Sequence, residues 1–220
     1  MDLFIEQIIN FGVLEQTVVL ILMLPVAATF IAFCRQIIGI RGLGIYITLI
    51  IAFIFVAIGL KYGIVIFFII TITATFTRFI FKKIRILYLP KMAIILTSIT
   101  LVIFLMFLLG SRFNVEGFRA ISIFPILMMA LVAERLVTIQ IERGLKLAII
   151  ITFETFILAL FSYFIINWLW LEKVLFKWPI PILLFLVLFN IALGKWSGLR
   201  LTEYFRFKEL GEYIKKPKKK

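Results

Sequence analysis

Histidine is missing from the chain, aspartate occurs once, at Asp2, and cysteine once, at Cys34. Each shortage removes a class of chemistry. Without His there is no imidazole zinc site, no Ser–His or Cys–His dyad and no His proton shuttle. One Asp cannot build the intramembrane Asp clusters that hold divalent metals. One Cys cannot close an intramolecular disulfide, and Cys34 reads as a small apolar filler. Acids are scarce altogether: 11 Asp and Glu stand against 24 Lys and Arg among 220 residues.

What fills the chain instead is apolar. Hydrophobic residues make up 64% and mean hydropathy is +1.19. A soluble core of this size could not hide that much apolar surface, so the class is integral membrane protein. Crossing a hydrocarbon core takes roughly 20 helical residues. Seven apolar runs approach that length: Thr17–Phe33, Leu43–Leu60, Gly63–Phe81, Lys91–Leu109, Ile121–Ile141, Leu147–Leu169 and Pro179–Gly194. The expected fold is all-α, a polytopic seven-transmembrane helix bundle over residues 17–198. Residues 1–16 read as a short amphipathic surface segment without a cleavable signal peptide. Residues 199–220 read as an interfacial helix followed by a basic tail.

The net charge of +13 is unevenly placed. Alternate loops and flanks on one side carry 19 of the 24 Lys and Arg, and the other side carries five. The positive-inside rule then puts the N-terminus outside and the C-terminus inside. Trp168, Trp170 and Trp178 would anchor the outer interface and Trp196 the inner one. The terminal KKPKKK reads as an attraction to anionic lipid rather than to nucleic acid, because six residues build no groove or stacking platform.

Polar residues within the spans invite a functional reading. The run Ile121–Ala133 is too short to cross alone, so the fifth helix must continue through Glu134 and Arg135 to about Ile141. Arg135 is then about 9 Å from the inner end and Glu154, on the returning sixth helix, about 10 Å, which allows an ion pair. Arg35, Gln36, Arg78 and Asn190 belong to the same leaflet. These seven residues are expected either to line a polar pocket open to the cytoplasmic side or to form a structural knot that locks the helices. Thr71, Thr73, Thr75 and Thr77 alternate along the third helix and are expected to bond back to the carbonyl one turn earlier. Gly194 and Gly198 suit close approach or a helix end at the interface.

Three segments carry a resemblance: PVAATFIAFCRQIIGIRGLGIY (Pro25–Tyr46), FPILMMALVAERL (Phe124–Leu136) and LGKWSGLRLTEYFRF (Leu193–Phe207). In this order they resemble the bacterial seven-transmembrane domain usually fused to an inactive transglutaminase-like domain. The matched positions are Arg35, Gln36, Gly39, Gly44, Glu134, Arg135, Gly194, Trp196, Gly198, Arg200 and Glu203. None belongs to a catalytic motif. The resemblance implies a prokaryotic cytoplasmic membrane and a setting with ATP-grasp peptide ligases and retropepsin-like proteases. These 220 residues hold no transglutaminase-like domain, so the role it would supply is expected either to be absent or to come from another chain, a transglutaminase-like extracytoplasmic protein. No cofactor is implied.

Three functions compete. One is a non-catalytic membrane scaffold or receptor-like module working with such partners. Another is a transporter of a small peptide or amino-acid conjugate through the inner-leaflet pocket; no span pair looks like a repeat, while Pro25 and Pro125 interrupt their helices. The last is an intramembrane enzyme, which would have to use Glu134, Glu154, Cys34 or a Thr.

Overall fold

The computed structural model describes residues 12, 14–84, 87–112 and 123–195. The expected surface segment before residue 12, the interfacial helix and basic tail, and Trp196, Gly198, Arg200 and Glu203 lie outside the described residues. All regular elements among the described residues are helical, as the apolar runs imply. They fall in two compact units, residues 1–45 with 164–220, and residues 46–163.

In the first unit, α1 (Glu15–Phe33) runs into a π-helical turn, Cys34–Ile38. Met23, Ala27 and Ile31 are fully buried at four-residue spacing, one stripe of the helix. Near the other end of the sequence, the unit contains α7 (Leu169–Lys177) and α8 (Pro179–Gly194). Both pack on α1. Phe189 of α8 stacks on Phe33 with ring centroids 6.4 Å apart.

In the second unit, α2 (Ile45–Ile58), α3 (Leu60–Ile80), α4 (Tyr88–Arg112), α5 (Ile123–Arg143) and α6 (Leu145–Ile166, assigned to this unit through Tyr163) follow one another. A short 3-10 turn, Phe81–Lys83, closes α3. This helix is central, packing on both α4 and α5. Its buried positions Gly63, Phe67, Ile70, Ala74 and Thr77 recur every three or four residues. Phe156 of α6 fills the space beside α2 and α3. Its ring lies 5.5 Å from that of Phe67 and 6.2 Å from that of Phe55.

Among the described residues, five helices are long and apolar enough to cross a membrane: Glu15–Ile38, Leu60–Lys83, Tyr88–Leu109, Ile123–Arg143 and Leu145–Ile166. The other two expected spans are shorter. The second has 14 helical residues, Ile45–Ile58, about 21 Å of rise. Gly59 ends it with φ 90°, and α3 begins at the next residue. The seventh has 16 residues, about 24 Å. The run Leu147–Leu169 is not one helix to its end. It stops at Ile166, and Leu169 opens the separate helix α7.

That extra helix has an amphipathic reason. Leu175 is buried, while Trp170, Lys173 and Lys177 are exposed. α7 and α8 meet at a bend of 106°. Trp168 and Trp178, which flank α7, suit a helix lying along a membrane interface.

The long helices expose apolar faces as well. Along α4, Leu101, Phe104, Leu105 and Leu108 are all exposed. A patch of this kind on a long apolar helix is covered by lipid.

Candidate functional site

The sequence places seven polar residues in one candidate site, and the structure distributes them over both units. Arg35, Gln36 and Asn190 belong to the first; Arg78, Glu134, Arg135 and Glu154 belong to the second.

In the second unit the geometry converges on a residue not proposed from sequence, Gln140. Its side chain is 3% exposed. Arg78, in the last turn of α3, reaches it twice. Nη1 donates to Gln140 Oε1 at 3.1 Å, and Nη2 donates to the Gln140 backbone carbonyl at 2.7 Å. The Gln140 amide passes the connection back to α3, donating from Nε2 to Thr75 Oγ1 at 2.8 Å. Both polar atoms of the amide are thus satisfied across the α3–α5 seam. Arg78 Nε, on the remaining edge of the guanidinium, is buried and has no protein partner.

A second tie lies beside the first. Thr138 Oγ1 donates to the Glu134 carbonyl at 2.9 Å. Its only proton is then engaged, so Tyr88 at the start of α4 is the donor in the 3.0 Å bond between Tyr88 Oη and Thr138 Oγ1. The ends of α3 and α5 and the start of α4 are therefore joined by side-chain hydrogen bonds.

The neighbouring charges lie deeper along α5. Gln140 is six residues beyond Glu134, so Arg78 is about 9 Å nearer the helix end than that carboxylate. Glu134 is half-buried and Arg135 exposed. Adjacent helical residues point about 100° apart, which agrees with this difference in burial. Only Gly144 separates α5 from α6. Arg135 lies eight residues before the end of α5 and Glu154 nine after the start of α6, at nearly equal rise. Glu154 is half-buried.

In the first unit, Arg35 and Gln36 sit in the π-helical turn, half-buried and exposed respectively. The Gly39 N–H closes that turn on the Cys34 carbonyl at 3.1 Å. Its φ of 90° is in the left-handed region, which glycine enters without a Cβ clash. Gly44, with φ 140°, precedes α2. Asn190 ties α8 to α1. Its Nδ2 donates to Thr29 Oγ1 at 2.7 Å and to the Leu186 carbonyl at 2.9 Å. Thr29 in turn donates to the Pro25 carbonyl at 2.8 Å. Gly194 is the last residue of α8.

Many hydroxyl groups bond locally. Thr73, Thr97, Ser98, Thr100, Thr152, Thr155 and Ser162 each bond to the carbonyl four residues earlier. Thr73 follows the expectation for the α3 threonines, whereas Thr75 also serves α5. A shallow groove along α4 is lined by Leu96, Thr97, Thr100, Leu101 and Phe104. Its two hydroxyls are among those bonded back, which leaves an apolar lining. Among the described residues, no three His, Cys, Asp or Glu side chains form a group able to hold a metal ion.

A family model described as seven transmembrane helices usually fused to an inactive transglutaminase matches residues 2–211. The chain belongs to this family. The match covers all the described helices, the five longer ones together with α2, α7 and α8. The family's description links this membrane domain to an inactive transglutaminase. Comparison with curated proteins and with solved structures found no match.

Proposed function

We propose that this seven-transmembrane chain is a non-catalytic membrane scaffold or receptor-like module. The observation behind this reading is the use made of Gln140. It binds Arg78 and Thr75, so the one side-chain amide of α5 works as a fastener between helices. Asn190 and Thr29 make the corresponding tie in the first unit. Polar groups arranged this way hold a rigid platform in lipid, where alternatives to protein hydrogen bonds are few.

The family's usual fusion partner supports a transglutaminase-like protein on the outer side as the first partner. A cytoplasmic ATP-grasp peptide ligase is the second. The charge asymmetry supports an outside N-terminus and an inside C-terminus, and the resemblance to a bacterial family supports a prokaryotic cytoplasmic membrane. The competing reading is transport of a small peptide, favoured by Pro25 within α1 and the adjoining π-helical turn, since interrupted helices surround many transporter sites.

Reconstitution separates the two. The purified chain is placed in liposomes, and efflux of labelled peptide is followed with and without the ligase. The scaffold reading expects a stable complex and no flux. Peptide flux by the chain alone would overturn it.

A further inference from the structure

One end of the second unit is strongly basic. Lys82 and Lys83 follow α3, Lys91 lies in the first turn of α4, Arg143 ends α5 and Lys146 lies in the first turn of α6. The side-chain ties gather these positions. Arg78 fastens the end of α3 to the end of α5, Tyr88 fastens the start of α4 to Thr138, and Gly144 alone separates α5 from α6. Four of the five cations are exposed and Lys91 is half-buried. Glu142 is the one acid among them. At the opposite end of this unit the described cations are Lys61 and Arg112.

The surroundings indicate what the charges meet. Ile84, Leu87 and Leu89 in the α3–α4 connection are exposed, as are Ile141 and Leu145 beside the α5–α6 turn. Charge attraction to an acidic partner does not by itself call for large apolar side chains exposed in the same turns. A lipid headgroup layer accommodates both: the apolar groups enter the acyl boundary while the ammonium and guanidinium heads reach the phosphates. Tyr88, with an apolar ring and a bonded hydroxyl, is suited to the same depth.

We propose that this basic rim is a binding surface for anionic phospholipid headgroups, with a phosphodiester as the recognised group. None of its residues belongs to the lysine-rich terminus, and it does not depend on the scaffold reading.

The test uses the full purified chain, delipidated in detergent. It is titrated with short-chain phosphatidylglycerol or phosphatidylcholine, and bound lipid is counted by native mass spectrometry. A preference of about tenfold or more for phosphatidylglycerol is expected, given that each basic residue near an anionic surface contributes up to roughly fivefold. Changing Lys82, Lys83, Lys91, Arg143 and Lys146 to Gln should abolish the preference. Exchanging the four lysines for Arg should preserve it, and so should neutralising the five lysines of KKPKKK. The single substitution Lys83→Gln, in an exposed turn, should lower it measurably and guards against misfolding of the multiple variant. Equal binding of the two lipids would overturn the proposal. So would a preference lost with the tail and retained without the rim, or full competition by inorganic phosphate. Rim-dependent binding of polyglutamate without lipid preference would replace the lipid with an acidic polypeptide.

Discussion

Arg78 holds Gln140 by both ends of its residue, the side-chain amide oxygen at 3.1 Å and the backbone carbonyl at 2.7 Å. The two lie 62 positions apart in sequence. A single guanidinium therefore sets the register of α3 against α5. The planar fork suits this task because its donors are fixed relative to one another.

Gln140→Leu should be the most damaging change at this seam. It leaves two Arg78 nitrogens dependent on one carbonyl and removes the donor to Thr75. The expected loss is about 1–3 kcal/mol for the newly unsatisfied groups. Gln140→Glu should cost less, because its carboxylate can still accept from Arg78 and can accept from Thr75. Thermal unfolding of the two variants in detergent gives the comparison, and equal losses would show that Arg78 does not depend on this partner.

Gly63→Ala sets two effects in opposition. Alanine favours helix by about 1 kcal/mol over glycine. A Cβ at this position, however, would stand 2.6 Å from Phe55 Cδ1 and 3.3 Å from Phe55 Cα. The ring can turn aside but the backbone cannot, so overpacking by about 1–3 kcal/mol should prevail. Adding Phe55→Leu should recover part of the loss, because it relieves the ring contact and leaves the backbone contact. A stabilised Gly63→Ala variant would mean that α2 moves away freely.

Asn190→Ala should cost about 1 kcal/mol, the usual scale of an interhelical hydrogen bond in a membrane. The effect is small because Thr29 keeps its bond to the Pro25 carbonyl. Adding Thr29→Val to Asn190→Ala should therefore do little more. Chemical denaturation of the two variants and the double variant forms a cycle whose coupling measures the tie.

Orientation can be read with single thiols. Cys34 is 5% exposed, and Cys34→Ala supplies a background without it. Lys83→Cys should then react with a membrane-impermeant maleimide only after the cytoplasmic face is opened. Lys177→Cys should react in intact cells. The reverse pattern would invert the topology.

Much of the architecture was legible because it follows from length and hydropathy. An apolar run must become a helix in lipid, since every backbone N–H and C=O needs a partner there. Five of the seven expected spans form long membrane-crossing helices, and the family match covers all seven. The boundaries that moved did so for local reasons. Gly59 shortens α2, and the amphipathic Trp168–Trp178 region separates into α7 instead of extending α6.

The site was less legible. Arg78 and Asn190 stood out because charge or an amide inside a span is conspicuous. Gln140 lies in the same stretch as Glu134 and Arg135, but nothing in the sequence says that it, rather than its charged neighbours, faces Arg78. Thr75 gave the same pattern as Thr73, whose hydroxyl bonds within its own helix. Nothing in the periodicity of α3 says that Thr75 faces an amide 65 positions away.

By itself, the sequence determined that this chain is a seven-span membrane protein with most of its basic charge in alternate connections. Those properties are additive over residues: transfer free energy accumulates along a run and charge accumulates in a loop. Only the tertiary structure decided that Arg78, Gln140 and Thr75 form one fastening. A hydrogen bond depends on positions within a few tenths of an ångström and on direction. Both arise only when two helices, each indifferent to its own rotation in lipid, are packed face to face.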